Sequence, residues 1–281
     1  SMKISTLAVL LTLAILIDLW RVNTKPMETH AKGTQEEVFT APEYVRILQQ
    51  DSTLFRVLEF ENGQPPFNNK LAYWRIQSAY GYQGAKMRRY QDLVDVVGLR
   101  NPLLWQIMNV KYVITDRPDS SRWMGLIYDN QTTKVYVNRL VLPRAFFVNR
   151  YEAADGLPLL QKMANLSFDA RDIAYLAEDP KVGIDPPLPG TSATFTHYGI
   201  QDFLIDVTAA GTNLLFISEA YYPEGWKAFL DGNEIPIYRA NYHFRAVIIP
   251  PGKHGLEMKF EPRGFSLGKT LSLGVNVLVL G

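Results

Sequence analysis

Residues 4–20 read ISTLAVLLTLAILIDLW. From Ile4 to Ile17 there is no charge, no glycine and no proline, and Leu, Ile, Val and Ala recur on every side of the helix such a run would form. A helix without a polar face belongs in a large core or in a bilayer. Spanning the hydrocarbon takes about 20 residues. Trp20 and Arg21 supply an interfacial anchor, with Asp18 within snorkelling reach of water. The exit Asp18-Leu19-Trp20-Arg21 lacks the small-residue pattern of a signal-peptide cleavage site, so an uncleaved membrane helix is expected, against a buried core helix or a signal peptide. At the other end, residues 265–281, FSLGKTLSLGVNVLVLG, turn apolar again and read as the start of a second membrane helix. Lys3 is opposed by Arg21 and Lys25, so charge bias does not set the orientation.

Between these ends lies a globular composition. The 281 residues are 47% hydrophobic and 20% charged, with a formal net charge of +1. Near-neutrality removes the basic stripe of a nucleic-acid binder. The absence of cysteine removes a disulfide framework, a thiolate metal site and a Cys nucleophile.

Residues 22–40 are polar and read as extended. Thr40-Ala41-Pro42-Glu43 starts a helix, and residues 55–60 alternate as a strand. A helix is expected over 85–95 and another, opened by Asn101-Pro102, over 103–109. Strands are expected at 110–115 and 143–148, a hairpin over 126–142, and amphipathic helices over 155–166 and 169–177. Residues 178–190, rich in Pro and Gly, read as a linker. From Thr191 the period changes to two. Seven short strands (192–197, 203–208, 214–218, 226–230, 234–239, 245–249 and 256–261), separated by Gly-containing turns, predict an antiparallel sandwich.

The expected class is therefore α+β: a mixed α/β portion, then an antiparallel β-sandwich, flanked by an N-terminal transmembrane helix and the start of a C-terminal one. The corresponding segments are 1–20, 21–189, 190–263 and 264–281.

Several blocks stand out, the middle and last of them specific. They are Asp18-Leu19-Trp20, Gly81-Tyr82-Gln83-Gly84-Ala85-Lys86-Met87-Arg88-Arg89-Tyr90-Gln91-Asp92, and Asn109-Val110-Lys111-Tyr112-Val113-Ile114. Further on come Pro143-Arg144-Ala145-Phe146, Tyr221-Tyr222-Pro223-Glu224-Gly225-Trp226-Lys227 and Tyr238-Arg239-Ala240-Asn241-Tyr242-His243-Phe244-Arg245-Ala246-Val247. Over nearly the whole chain these blocks resemble the C-terminal extracytoplasmic part of the YfhO family of bacterial polytopic membrane proteins. That family in turn resembles integral-membrane glycosyltransferases that take sugar from a polyprenyl-phosphate donor. The resemblance implies a bacterial inner (cytoplasmic) membrane location with the domain on the extracytoplasmic side. It implies as partners membrane lipid, a polyprenyl-phosphate-linked sugar or envelope polymer, the rest of the protein's own transmembrane bundle and a partner glycosyltransferase. In such enzymes the acidic catalytic residue sits in an early extracytoplasmic loop that is not among these residues. No catalytic residue is carried over, no cofactor is implied for this segment, and it is not expected to be catalytic alone.

Two stretches are candidates for ligand contact. Tyr82, Lys86, Arg88 and Arg89 surround a Gly-relieved basic turn into a helix, where backbone N–H groups and guanidinium can hold a phosphate. The plainer reading is a helix start with solvated cations. Tyr222 and Trp226 lie in a loop whose flat rings can cover the apolar face of a sugar, with Arg239, Asn241 and Arg245 for hydroxyls. Here the plainer reading is that Trp226 begins a strand and packs inward. His30, His197, His243 and His254 have no metal-ligand spacing. Two functions follow: positioning a lipid-linked sugar or glycan acceptor, or a non-catalytic structural or protein-interaction domain.

Overall fold

The computed structural model describes residues 4–24 and 39–280. They fall into two compact units, residues 1–47 and 48–281. Of the polar stretch expected to be extended from residue 22, residues 22–24 instead continue α1, and residues 25–38 with His30 lie outside the described residues.

The first unit holds helix α1 (Ile4–Thr24) and most of helix α2 (Glu43–Gln49). Residues 5–24 are exposed on every side, Leu7 at 45% and Trp20 at 74%. Thr12 and Thr24 turn their hydroxyls back onto the helix, donating to Ala8 O at 2.9 Å and Trp20 O at 3.0 Å. Back-bonding of this kind satisfies polar side chains without water. Among the described residues, 5–24 form the one helix long and apolar enough to cross a membrane.

The second unit contains three sheets. The first has the order β1 (Arg56–Phe60), β2 (Val110–Thr115), β4 (Lys134–Asn138), β3 (Met124–Asp129). Its β1–β2 pair is parallel, so the chain must cross over between them. That crossover carries α3 (Lys70–Tyr73), α4 (Arg88–Asp92) with a π-helical turn over Leu93–Val97, and α5 (Pro102–Ile107). Asn101 caps α5 by accepting from Leu103 N at 2.9 Å and Leu104 N at 3.2 Å, with Pro102 just inside.

The second sheet has the order β5 (Ala145–Val148), β10 (Asn213–Ile217), β14 (Phe244–Ile249), β13 (Tyr238–Ala240), β7 (Ile173–Leu176), β6 (Arg150–Ala153). The third has the order β12 (Asn233–Ile235), β11 (Trp226–Leu230), β15 (Gly252–Phe260), β9 (Asp202–Ala209), β8 (Ser192–Tyr198). Helix α6 (Gly156–Ala164) lies between β6 and β7, and helix α7 (Arg263–Leu280) follows β15.

Strand alternation divides the second sheet between two cores. Leu215, Ile217, Val247 and Ile249 pack with Ile205, Leu256 and Met258 of the third sheet. Leu214, Phe216, Phe244 and Ala246 pack with Leu58, Leu104 and Val113 on the other side. A strand buried on both faces shows no alternation, and Asn213–Ile217 is buried at every position. Full burial of one such side chain as Phe216 contributes about 1.5–3 kcal/mol.

The sandwich is present, but its second sheet joins strands from either side of residue 190. β5, β6 and β7 pair within the same sheet as β10, β13 and β14, so packing and hydrogen bonding run across the expected 189/190 division. The expected linker is likewise held down, with Asp185 N donating to Thr212 O at 2.7 Å and Asn213 Nδ2 to Asp185 O at 2.7 Å. Two elements differ from the sequence reading. Residues 169–177 are not a helix, because Ile173–Leu176 is a strand buried at all four positions. A short apolar run has no period by which to separate the two states. The strand expected over 234–239 breaks at Pro236-Ile237, and its halves enter different sheets, since proline cannot donate to a ladder.

Candidate functional site

Residues 74–87 run without helix or strand beside β1. A stretch this long without regular structure needs anchors. Val57 N donates to Gln77 O at 2.9 Å, and Ala79 N donates to Val57 O at 2.8 Å. Asn69 brackets Tyr82, accepting from its N–H and donating to its carbonyl, both at 2.9 Å. Gly81 allows that approach, because a Cβ there would run into the Asn69 amide oxygen. Tyr90 Oη donates to Ala79 O. Behind this loop is a cavity of about 930 Å³. Its loop side carries Tyr80, Tyr82 and Lys86, and its floor carries Arg56, Glu219 and His243.

The floor is an ionic cluster. Glu219 Oε1 accepts from Arg56 Nη2 at 3.0 Å, Arg144 Nη1 at 2.9 Å and Tyr198 Oη at 2.7 Å. Burial pushes the Glu219 carboxyl up, but the two guanidiniums beside it outweigh that and hold it below the usual carboxylate range. Burial and the Glu219 charge raise the Tyr198 hydroxyl to about 12. Arg144 is 2% exposed, and its other nitrogens donate to Gln77 Oε1 at 2.8 Å and Asn109 Oδ1 at 3.0 Å. Arg56 also holds Met108 O at 2.9 Å and Ser218 O at 2.8 Å. Burial, then the nearby Arg56, Arg89 and Arg245 charges, push His243 down to about 4, so it is neutral at pH 7.

The charges lining this cavity do not balance. Glu219 is the carboxylate and is already engaged by two arginines, whereas Arg56, Arg75 and Lys86 bring positive charge. Lys86 Nζ lies 5.7 Å from the Phe67 ring and 5.9 Å from Tyr80. Neither Lys86 nor Arg75 has a carboxylate partner among the described residues. Arg75 also sits at φ 58°, in the left-handed region that disfavours side chains with a Cβ.

Residues 191–272 match the family model described as bacterial membrane protein YfhO. This stretch is of the YfhO family. No curated protein and no solved structure matches the chain. The YfhO segment runs from β8 through β15 into α7. It brings Glu219, His243 and Ile200 to the large cavity, while Arg56 and the 74–87 loop come from the preceding part of the chain.

The residues expected from sequence separate. Tyr82 and Lys86 line the large cavity. Arg88 points outward, 90% exposed, and pairs with Asp92 at 2.9 Å. Arg89 is exposed and not among the residues lining the large cavity. Arg239 is held by Asp155 at 2.6 and 2.5 Å. Asn241 is fully buried and accepts from Tyr175 N at 2.8 Å. Tyr222, Trp226 and Arg245 line a second cavity of about 190 Å³ within the YfhO segment. There the Arg245 guanidinium covers the Trp226 ring at 4.0 Å, and Phe203 and Phe260 pack on Trp226 with ring centroids 5.7 and 5.5 Å away. Trp226 thus packs inward, and Tyr222, 44% exposed, is the more open ring. Arg245 donates from Nε to Ala220 O at 2.8 Å, and its Nη1 is buried without a partner. Burial lowers this guanidinium to about 10.

Sequence reasoning passed over Arg56, Arg75, Arg144, Glu219 and His243 as site residues. A signal was present for Arg56 and Arg144: each stands at the lip of an apolar strand, where an unpaired charge is costly. Nothing local marks Glu219 as their shared partner. Among the described residues no three His, Cys, Asp or Glu side chains stand together to hold a metal ion.

Proposed function

We propose that this chain is the extracytoplasmic domain of a bacterial inner-membrane protein, and that its large cavity holds the phosphate-bearing part of a lipid-linked sugar or an acidic envelope glycan. One observation carries the reading. A cavity of about 930 Å³ walled by Tyr80, Tyr82 and Met87 presents Arg56, Arg75 and Lys86, and its carboxylate, Glu219, is already paired through Oε1 with Arg56 and Arg144. Apolar and aromatic walls with a few convergent cations suit an anion joined to a less polar body. At this floor the Ser218 hydroxyl donates to Ile107 O at 2.6 Å and accepts from Arg56 at 3.0 Å, and Glu219 is paired with two arginines, so the role in this reading is to bind and orient, with bond chemistry left to the membrane part of a glycosyltransferase-like protein.

The test is titration of the purified chain with short-chain polyprenyl phosphate, the matching neutral prenol, and acidic and neutral glycans. Saturable binding of a phosphate-bearing ligand, weakened in Lys86→Ala and absent for the prenol, supports the reading. No binding of any of them overturns it and favours a structural or partner-docking domain. The outward Arg88 and the mostly buried Arg239, each already paired with a carboxylate of its own chain, fit that alternative.

A further inference from the structure

The start of α7, the β8–β9 turn and the 221–225 loop meet at one end of the sandwich. Phe260 N donates to Gln201 O at 2.7 Å, tying the turn to the end of β15. Glu261 N donates to Gly225 O at 2.7 Å, tying the loop to the same place. Gly225 sits at φ 126°, and a Cβ there would meet Phe260 at 2.9 Å and Pro262 Cα at 3.0 Å. The loop therefore lies flush against the chain just before α7 begins at Arg263.

This end exposes apolar side chains among polar ones, with Gln201, Glu224 and Glu261 also open to solvent. Ile200, at the tip of the turn closed by Gly199 N and Asp202 O at 2.8 Å, is 98% exposed. Tyr222 is 44% exposed and Phe265, in the first turn of α7, 72%. Leu271, Leu273, Val275 and Val279 continue the exposed apolar surface along that helix. Lys227, on the adjoining strand, is paired with Glu261 at 3.4 Å. Exposed aliphatic tips, an amphipathic tyrosine and a nearby lysine at the root of an apolar helix are what the headgroup layer accepts. In water the same apolar surface would go uncovered. Ile200 also lines the large cavity. Being almost fully exposed as well, it stands at the mouth.

We propose that α7 continues into a membrane, that this end of the domain, with Ile200 and Tyr222 at its tips, rests in that membrane's headgroup layer, and that the large cavity opens onto that layer. Its ligand then arrives from lipid, not from bulk solvent. That second clause rests on the cavity reading above; the seating of the domain does not.

The chain has no cysteine, so one introduced thiol can carry a single label. Ile200→Cys and Ala210→Cys place it at opposite ends of β9, about 24 Å apart for an extended strand of this length. Both positions are exposed, so neither change disturbs a core. Each labelled full chain is reconstituted in vesicles of phosphatidylcholine and phosphatidylglycerol containing nitroxide-labelled lipid. The expected result is a blue-shifted emission and loss of fluorescence for the label at 200 and neither change at 210. An unquenched label at 200, or equal quenching at both positions, overturns the proposal. If the label at 200 is quenched while Lys86→Ala leaves phosphate-ligand binding intact, the cavity reading fails and the seating stands.

Discussion

Arg144 Nη1 and Glu219 Oε1 stand 2.9 Å apart, with Arg144 itself only 1% exposed in its side chain. The same oxygen accepts from Arg56 of β1 and from Tyr198 at the end of β8. One carboxylate thus ties together the first sheet, the approach to β5, the end of β8 and the segment after β10. It also leaves two guanidiniums sharing one negative charge beneath the cavity.

Glu219→Gln keeps the shape and removes the charge. Breaking a buried pair from one side leaves uncompensated cations, at a cost of about 3–5 kcal/mol. Denaturant unfolding of the purified variant is expected to show that loss. A change below about 1 kcal/mol, the range of an exposed pair, would mean the cluster is open to solvent.

His243 links stability to acid. Its ordinary value of 6.5 falls to about 4 in the fold, through burial and then the Arg56, Arg89 and Arg245 charges. Between these values the unfolded chain binds the proton and the folded chain does not, so unfolding free energy rises with pH across that window. Acidification from about pH 6.5 to 4 is expected to remove up to about 3 kcal/mol. Glu219, held low by its arginines, adds a loss at the acid end as it too is protonated. His243→Gln should flatten the slope between pH 5 and 6.5. A slope unchanged in that variant assigns the effect to another group.

Asn241 holds the turn that presents His243. It sits at φ 42°, accepts from Tyr175 N at 2.8 Å and donates its own N–H to Tyr175 O at 2.7 Å. Asn241→Ala leaves a buried N–H unmatched and keeps a Cβ in the left-handed region, for about 2 kcal/mol. Asn241→Gly should recover roughly 1 kcal/mol of that by relieving the backbone. Equal destabilisation in the two variants, by thermal unfolding, would show that the backbone carries no strain.

Arg75 invites a test in which stability and binding move in opposite directions. Its left-handed backbone, at φ 58°, is one that glycine adopts freely. Arg75→Gly is expected to keep or slightly raise the melting temperature while weakening binding of a polyprenyl phosphate. Lys86→Ala should weaken it about tenfold, the worth of one charge-assisted contact. Unchanged affinity in both variants would remove the cations from any ligand role.

Much of the fold could be read along the chain because each signal was local. Residues 4–20 are apolar on every side, Asn101-Pro102 caps a helix, and 203–208 and 256–261 alternate strongly enough to be strands. The failures were those of short apolar runs. Ile173–Leu176 sits between two strands, β13 and β6, and only its neighbours decide that it is extended. The site was less legible. Tyr82 and Lys86 were visible in a basic, glycine-relieved turn, but Arg88, two residues further on, faces outward because α4 rotates it there.

What the sequence alone determined is which stretches avoid water and which can meet it: the apolar N-terminal helix, the two-residue period after Thr191 and the aromatic, basic loop over 80–89. Only the tertiary structure decided that β5, β6 and β7 join the later strands in one sheet, and that Arg56, Arg144, Tyr198 and Glu219 converge. The reason is physical. Hydropathy and turn chemistry act within a few residues, whereas a buried charge finds its partner by sheet pairing between segments up to 163 positions apart.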